Sequence, residues 1–348
     1  MSRRKAIGTM AGATIAGLVG LAAGGTAGYL LKPTSVTQQV TGLAATYGTV
    51  NGRKLNFIFV THGGADNVFW NAVNKGMLDA ASLFGVDAVM VRPTTEGDQN
   101  QILSNFEAAI AKKPDGIICT VDYASELAEI TKATNAGIPV IVANIDAPNP
   151  QDRINAGGLA YVGQSLVAAG SFMAQRLTKY YPPSMGSVVI VEGPGQVWAE
   201  QRFTGISQYL KANGYSVDRL DTNSFDPAIV DPLLSAYLEK NPNTGGVYSV
   251  GYAAAEIEPV SKQLNLPPGK VKAAGFDLVP SALTAITDGY ETFILDQQPY
   301  LQGFIPIMEL VMINRFTFTA FDADTGDKVV DSSNVSEVIT LNKEGYFY

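Results

Sequence analysis

The chain has 348 residues, 46% hydrophobic and 16% charged, a composition that leaves room for two folded domains of ordinary size and excludes a disordered chain. Arg3, Arg4, Lys5 and Lys32 bracket its start, and with those four set aside 20 basic residues face 32 acidic ones, which argues against nucleic acid as a partner. A single cysteine, Cys119, excludes a disulfide framework and a zinc-thiolate site.

Between Lys5 and Lys32 lie 26 uncharged residues, rich in Gly and Ala. A run of about 20 apolar residues spans a bilayer, whereas a secretory core is about 7–15 long. Residues 1–34 are therefore expected to be a signal or membrane anchor, and the chain is placed outside the cytoplasm, in a periplasm or at the cell surface. Ser2-Arg3-Arg4 resembles a twin-arginine signal, with Ala6 and Gly8 departing from its pattern. Lys5-Ala6-Ile7-Gly8 ahead of the apolar run also looks like a pilin-type export signal. No cysteine follows, so a lipoprotein anchor is excluded. Residues 35–52, rich in Thr, Ser, Gln and Val, read as a tether.

The body then repeats one alternation twice. Strands are expected at 55–61, 87–91, 116–120 and 138–144, and again at 187–192, 215–220, 246–250 and 271–277. They are short, β-branched and bounded by Gly or Pro, with amphipathic helices between them, so each half assembles as a parallel sheet covered on both faces. Asp66 or Asn67 can cap the first helix and Gly85 stops it. After Asp277 come a short helix, a strand at 292–296, a helix at 301–313 and a Thr/Asp-rich stretch reaching Tyr348, enough to complete the two sheets by crossing between lobes but not to build a third domain. Ligands of open parallel sheets settle at the strand carboxyl ends.

At those ends stand the candidate residues. Thr61-His62-Gly63-Gly64-Ala65-Asp66-Asn67-Val68-Phe69-Trp70 brings two large rings to a helix start, where an aromatic face can cover the C–H face of a sugar ring. Adjacent helical positions differ by about 100° in direction, so one of the two is expected in the core. Trp198 lies one turn before Arg202 and offers either a second stacking surface or core packing. His62, the single histidine, reads as a hydrogen-bonded structural residue, Cys119 as a small buried hydrophobe, and Asp122 as a helix cap. Planar amide, carboxylate and guanidinium groups, as in Asn144, Gln297, Asp277 and Arg202, each serve two hydroxyls at once. Arg202 on a helix surface and Asp277 as a cap before Pro280 are the plainer alternatives. The glycines of Gly63-Gly64 and of Glu192-Gly193-Pro194-Gly195 lack phosphate-loop spacing.

Together with Gly137-Ile138-Pro139-Val140-Ile141-Val142-Ala143-Asn144, Tyr161-Val162-Gly163-Gln164, Gln201-Arg202-Phe203-Thr204-Gly205 and Gly275-Phe276-Asp277, that loop resembles the ribose/galactose-type periplasmic sugar-binding proteins, in order over residues 55–310. The resemblance implies the type I periplasmic-binding-protein fold: α/β, two doubly wound parallel-sheet lobes joined by a three-stranded hinge. It implies an N-terminal lobe of residues 53–163 plus 298–326 and a C-terminal lobe of 164–297 plus 327–348, with crossings near Gly163-Gln164, Asp296-Gln297 and residues 324–331. By position, Asn67, Phe69 and Trp70 match the family's Asn-x-aromatic-aromatic segment, Arg202 its sugar-binding arginine and Phe225 its second-lobe aromatic. Asp277 and Gln297 match hydroxyl-binding groups. Asn144 takes the place of an aspartate, Ile145 of an arginine and Gly251 of an asparagine, departures that bear on which sugar is bound.

The implied protein is the monomeric solute receptor of an ABC importer, with a monosaccharide or similar polyhydroxylated ligand, no cofactor and no metal. Two rivals remain. A hydrolase needs a nucleophile beside a base, and no Gly-x-Ser-x-Gly elbow accompanies His62, although carboxylates alone can run glycoside chemistry. A sensor for a signalling partner uses the same fold with a DNA-binding or signalling domain attached, and here the fold follows an apolar segment instead.

Overall fold

The structure is a computed structural model and describes residues 47–65, 67–343 and 345–346. The signal or anchor, the tether up to residue 46, and Asp66 as a cap lie outside the described residues.

A hairpin of β1 (Thr49–Val50) and β2 (Arg53–Lys54) precedes β3 (Asn56–Val60), α1 (Phe69–Phe84), β4 (Asp87–Val91), α2 (Gln99–Ala111), β5 (Gly116–Cys119), α3 (Glu126–Asn135), β6 (Val140–Ala143), α4 (Pro150–Asn155) and β7 (Tyr161–Gly163). The second half runs α5 (Leu166–Leu177), β8 (Gly186–Val191), α6 (Val197–Ala212), β9 (Val217–Asp221), α7 (Pro227–Lys240), β10 (Thr244–Ser249), α8 (Ile257–Gln263), β11 (Lys272–Phe276), α9 (Pro280–Thr287) and β12 (Phe293–Asp296). Then come α10 (Pro299–Phe316), β13 (Ala323–Asp324), β14 (Lys328–Val330) and α11 (Val335–Asn342).

The strands form two six-stranded sheets with matching orders, β13-β7-β6-β5-β3-β4 and β14-β12-β11-β10-β8-β9. All pairings in these sheets are parallel except β12 with β14. Alternation divides each strand between two cores: Phe57 and Phe59 face α1 and α10, whereas Ile58 and Val60 face the α2 and α3 side. In the second sheet Val189 and Val191 pack with α5 and α6, and Val188 and Ile190 with α7 and α8. Cys119 is buried in the first sheet, and burial pushes its thiol up.

Three crossings join the lobes. After β7 the chain leaves the first sheet for α5, which packs on α6 in the second lobe; after β12 it returns through α10, which packs on α1; and between β13 and β14 it crosses again. The helix pairs touch backbone to backbone through reciprocal glycines. A Cβ at Gly76 or Gly303 would stand 1.9 Å from Tyr300 O or Val73 O, and one at Gly170 or Gly205 would stand 2.3 or 2.0 Å from Arg202 O or Val167 O. Only glycine allows this approach.

Some expectations change. The end of the 35–52 stretch is no free tether: Tyr47 packs edge-on against Phe84 and Phe316, and Gly48 O accepts from Leu55 N, because the β1–β2 hairpin folds back onto the lobe. The short strand β7 and helix α4 carry too few apolar residues to stand out by periodicity. Within the Thr/Asp-rich stretch, β13, β14 and α11 gain their order from sheet edges and from α9. Helix α1 starts at Phe69, where Asn67 Oδ1 accepts the Phe69 N–H at 3.0 Å.

Candidate functional site

The carboxyl ends of both sheets open onto one cleft of about 480 Å³. Asn67, Phe69, Trp70, Asn144, Trp198, Arg202, Phe225, Asp277 and Gln297 all line it. The fold therefore brings the nine residues singled out in the sequence to one place, although they are not equivalent there.

From the first lobe, α1 offers its start. Phe69 is half-buried, while Trp70 is 1% exposed and packs at right angles to Phe59 and His62, so it is the core member of the pair and shows the cleft little more than an edge. Asn67 donates to Glu96 Oε2 at 3.2 Å, and the same carboxylate accepts the Gly64 N–H at 2.6 Å, fixing the glycine loop. His62 is buried, its Nε2 3.8 Å from Glu96 Oε1.

From the second lobe, Trp198, Phe225 and Tyr252 form a three-ring stack, with centroids 6.0 Å apart at 16° and then 4.5 Å apart at 24°. Gly251 makes room for it: a Cβ there would stand 2.6 Å from the Phe225 ring. Beside the stack, Arg202 is no surface residue. It is 3% exposed, donates to Val250 O and Gln164 Oε1 at 2.9 Å each, and lies 3.8 Å over the Phe276 ring.

Where the lobes meet, Asn144 follows β6 and Asp277 follows β11 at corresponding points of the two sheets, both left-handed, with φ of 67° and 70°. Asn and Asp accept that conformation more readily than other side-chain-bearing residues, and it turns the chain sharply off the strand end. Gln297 lies between them, donating through Nε2 to Asp277 Oδ1 at 2.8 Å and accepting from Asn144 Nδ2 at 3.4 Å. Asp277 does not cap α9, whose cap position is Val279.

The cleft also holds residues that sequence reasoning missed. Glu192, at the end of β8, is buried and accepts from Ser249 Oγ and from the N–H groups of Gly251 and Ala253. Burial pushes its carboxyl up to about 7 against the pull of those bonds. Its place directly after the last residue of β8 is the available signal. Glu96 and Tyr252 lie in loops, where no periodicity marks them; Ile145, Leu166 and Val279 supply apolar wall. Asp122 does not cap α3. The Glu126 carboxylate accepts the Asp122 and Tyr123 N–H groups instead, and Asp122 is buried with its carboxyl raised, chiefly by burial.

Two α/β lobes that face each other across a ring-lined polar cleft, and are joined by three crossings at one edge, define a clamshell binding protein. The chain belongs to the periplasmic binding protein family, whose domain model matches residues 57–315. It is 29% identical to the xylose/arabinose-binding protein of Sulfolobus acidocaldarius in an alignment covering 99% of this chain and 89% of that one. Among solved structures it resembles a carbohydrate transporter from Acidothermus cellulolyticus in complex with myo-inositol (26% identity, TM-score 0.72, 84% of this chain and 99% of that one). It also resembles an ABC-transporter solute-binding protein from Burkholderia graminis in complex with D-arabinose (25% identity, TM-score 0.72, 83% and 99%). By name these relatives are sugar-binding or carbohydrate-transport proteins.

Proposed function

We propose that the protein captures a monosaccharide or similar small polyol outside the cytoplasm and delivers it unaltered to the permease of an ABC importer. The observation that carries this reading is the meeting, in one cleft, of half-buried rings from both lobes with an amide pair, a carboxylate and a guanidinium. Rings cover the apolar faces of a sugar while planar polar groups take its hydroxyls in pairs. The nine residues from Asn67 to Gln297 form the binding set, with Phe69, Trp198 and Phe225 as stacking rings and Trp70 as their support.

Residues 53–163 with 298–326 swing against residues 164–297 with 327–348 about the three crossings. Ligand bound to one lobe gains contacts from the other only in the shut state, and this difference in affinity drives closure. The protein acts as a monomer. Residues 1–34 direct export and either are removed or hold the body at the membrane; among the described residues no helix is long and apolar enough to cross one.

The test is a thermal-shift and calorimetric screen of the body from residue 47 onward against pentoses, hexoses, polyols and nucleosides, with product analysis of the same mixtures. Micromolar or tighter binding of a sugar without turnover is expected. Release of new products would move the protein to the carbohydrate-active enzymes, and silence across the sugars would refute the reading.

A further inference from the structure

Gln302 does not line the cleft. It sits at the start of α10, 0% exposed, and yet it holds one of the cleft's polar groups: its Oε1 accepts from Asn144 Nδ2 at 2.9 Å. Its Nε2 donates to the backbone oxygen of Gln297 at 3.2 Å, to Gln297 Oε1 at 3.2 Å and to Thr325 Oγ1 at 3.1 Å.

The oxygen and nitrogen of a carboxamide look alike, so its direction has to be argued from partners that cannot turn over. Two such partners fix this network. The Gln297 backbone carbonyl only accepts, so Gln302 must give it the nitrogen and turn Oε1 toward Asn144. The Asp277 carboxylate, which accepts from Gln297 Nε2, requires Gln297 likewise to turn its Oε1 toward Asn144. Asn144 thus meets two oxygens on its inner side and must direct Nδ2 at them. Its Oδ1 is left for the cleft, where it accepts no hydrogen bond within the described protein.

We infer that Gln302 is a specificity-positioning residue: it makes Asn144 an acceptor toward the ligand, so the bound sugar must donate a hydroxyl proton there. The inference rests on the sugar-binding reading and adds a polarity to it. A carboxylate such as Asp277 calls for a second donated proton, and Arg202, which has donors alone, calls for an acceptor. A ligand that cannot donate at Asn144 leaves a buried oxygen unpaired, the situation that sites built on hydrogen bonds reject most strongly.

The arrangement also accounts for an amide at position 144. In Asn144→Asp an oxygen replaces Nδ2 and faces both Gln302 Oε1 and Gln297 Oε1, and neither glutamine can turn without setting oxygen against oxygen at Gln297 O or Asp277.

The test is isothermal titration of the full chain with D-xylose, D-arabinose, D-allose and myo-inositol, then with monodeoxy and monodeoxyfluoro analogues of whichever binds. Fluorine accepts weakly and does not donate. In the wild type, the hydroxyl facing Asn144 should lose about tenfold or more in affinity on replacement by either hydrogen or fluorine, by the same factor. In Gln302→Met, which keeps the volume and removes the amide, Asn144 loses its shorter inner acceptor and is held only by Gln297 Oε1 at 3.4 Å, so its amide turns more readily. The fluoro analogue at that one position should then bind several-fold better than the deoxy analogue, with the position facing Asp277 unchanged. Asn144→Asp should bind the parent sugar at least tenfold more weakly than the wild type.

A merely structural glutamine would weaken all ligands by a common factor in Gln302→Met, and that uniform loss overturns the inference. So does an Asn144→Asp protein that binds as tightly as the wild type, a result that stands even if Gln302→Met does not fold. If neither this panel nor the wider screen of pentoses, hexoses and polyols yields a ligand for the wild type, the sugar-binding reading itself falls, and this inference with it, before any variant is made.

Discussion

Arg202→Ala tests the site and the fold at once. The guanidinium is buried against Phe276 and donates to Val250 O and Gln164 Oε1. Truncation leaves two acceptors to find new partners, at about 1–3 kcal/mol each, and removes a cation–π contact of about 2 kcal/mol. Relief of the buried charge's own desolvation and entry of water offset part of this. The net loss of stability is expected at about 2–4 kcal/mol, read as a shift of the urea midpoint at unchanged slope. A charge-assisted hydrogen bond to the ligand, about 1.5–3 kcal/mol, corresponds to roughly a tenfold to hundredfold weaker Kd by calorimetry. Arg202→Lys separates the two roles: it keeps the charge and loses the fork that spans Val250 O and Gln164, so it should recover part of the stability and little of the affinity. An Arg202→Ala protein with Kd within twofold of the wild type, or with stability unchanged, would refute the reasoning.

Three further outcomes are expected. Gly205→Ala and Gly303→Ala each drive a methyl group into a backbone carbonyl of the facing helix and should lower stability by about 2 kcal/mol or more in chemical denaturation, whereas Gly214→Ala meets no atom and should cost only the roughly 1 kcal/mol of backbone strain that its φ of 81° imposes on alanine. Trp70→Ala should cost about 3–5 kcal/mol of stability as a core truncation, while Phe69→Ala should act mainly on ligand Kd, a contrast that paired melts and titrations resolve. Burial pushes Glu126 up to about 8, Glu192 and Glu309 to about 7 and Asp296 to about 6. These groups hold a proton more tightly folded than unfolded, so their contribution is full below about pH 4.5 and is lost as pH rises toward 8. Calorimetry without ligand should therefore show Tm falling by at least about 5 °C between pH 4.5 and 8; a Tm that rises over that window would contradict the burial of these carboxyls.

The two parallel-sheet lobes were legible because β3, β5, β6 and β8 are short buried runs rich in Val and Ile, the pattern of strands covered on both faces. What escaped was order imposed from outside the segment: β13 and β14 are too short to carry a pattern and exist by pairing with β7 and β12. The site divides in the same way. Asn144 and Asp277 could be found at strand ends, and their left-handed turn favours these residue types. Glu96, held by the Gly64 N–H, and Gln302, buried behind Asn144, are set by contacts between distant segments and leave no local mark. Arg202 shows the limit from the other side, since a helical pattern alone does not distinguish it from a solvated arginine.

The reciprocal exchange of helices after the first two crossings governs how the chain can acquire its structure. Helix α5 is the continuation of the first sheet yet covers the second, and α10 is the continuation of the second sheet yet covers α1 in the first. The glycine face of α1 therefore waits, bare, for a segment that leaves the ribosome much later. The second lobe has α5 and α6 in place as soon as β8 to β12 are made, whereas the first cannot close its interior until α10 is supplied, so the N-terminal lobe is completed only by chain synthesised after most of the C-terminal one.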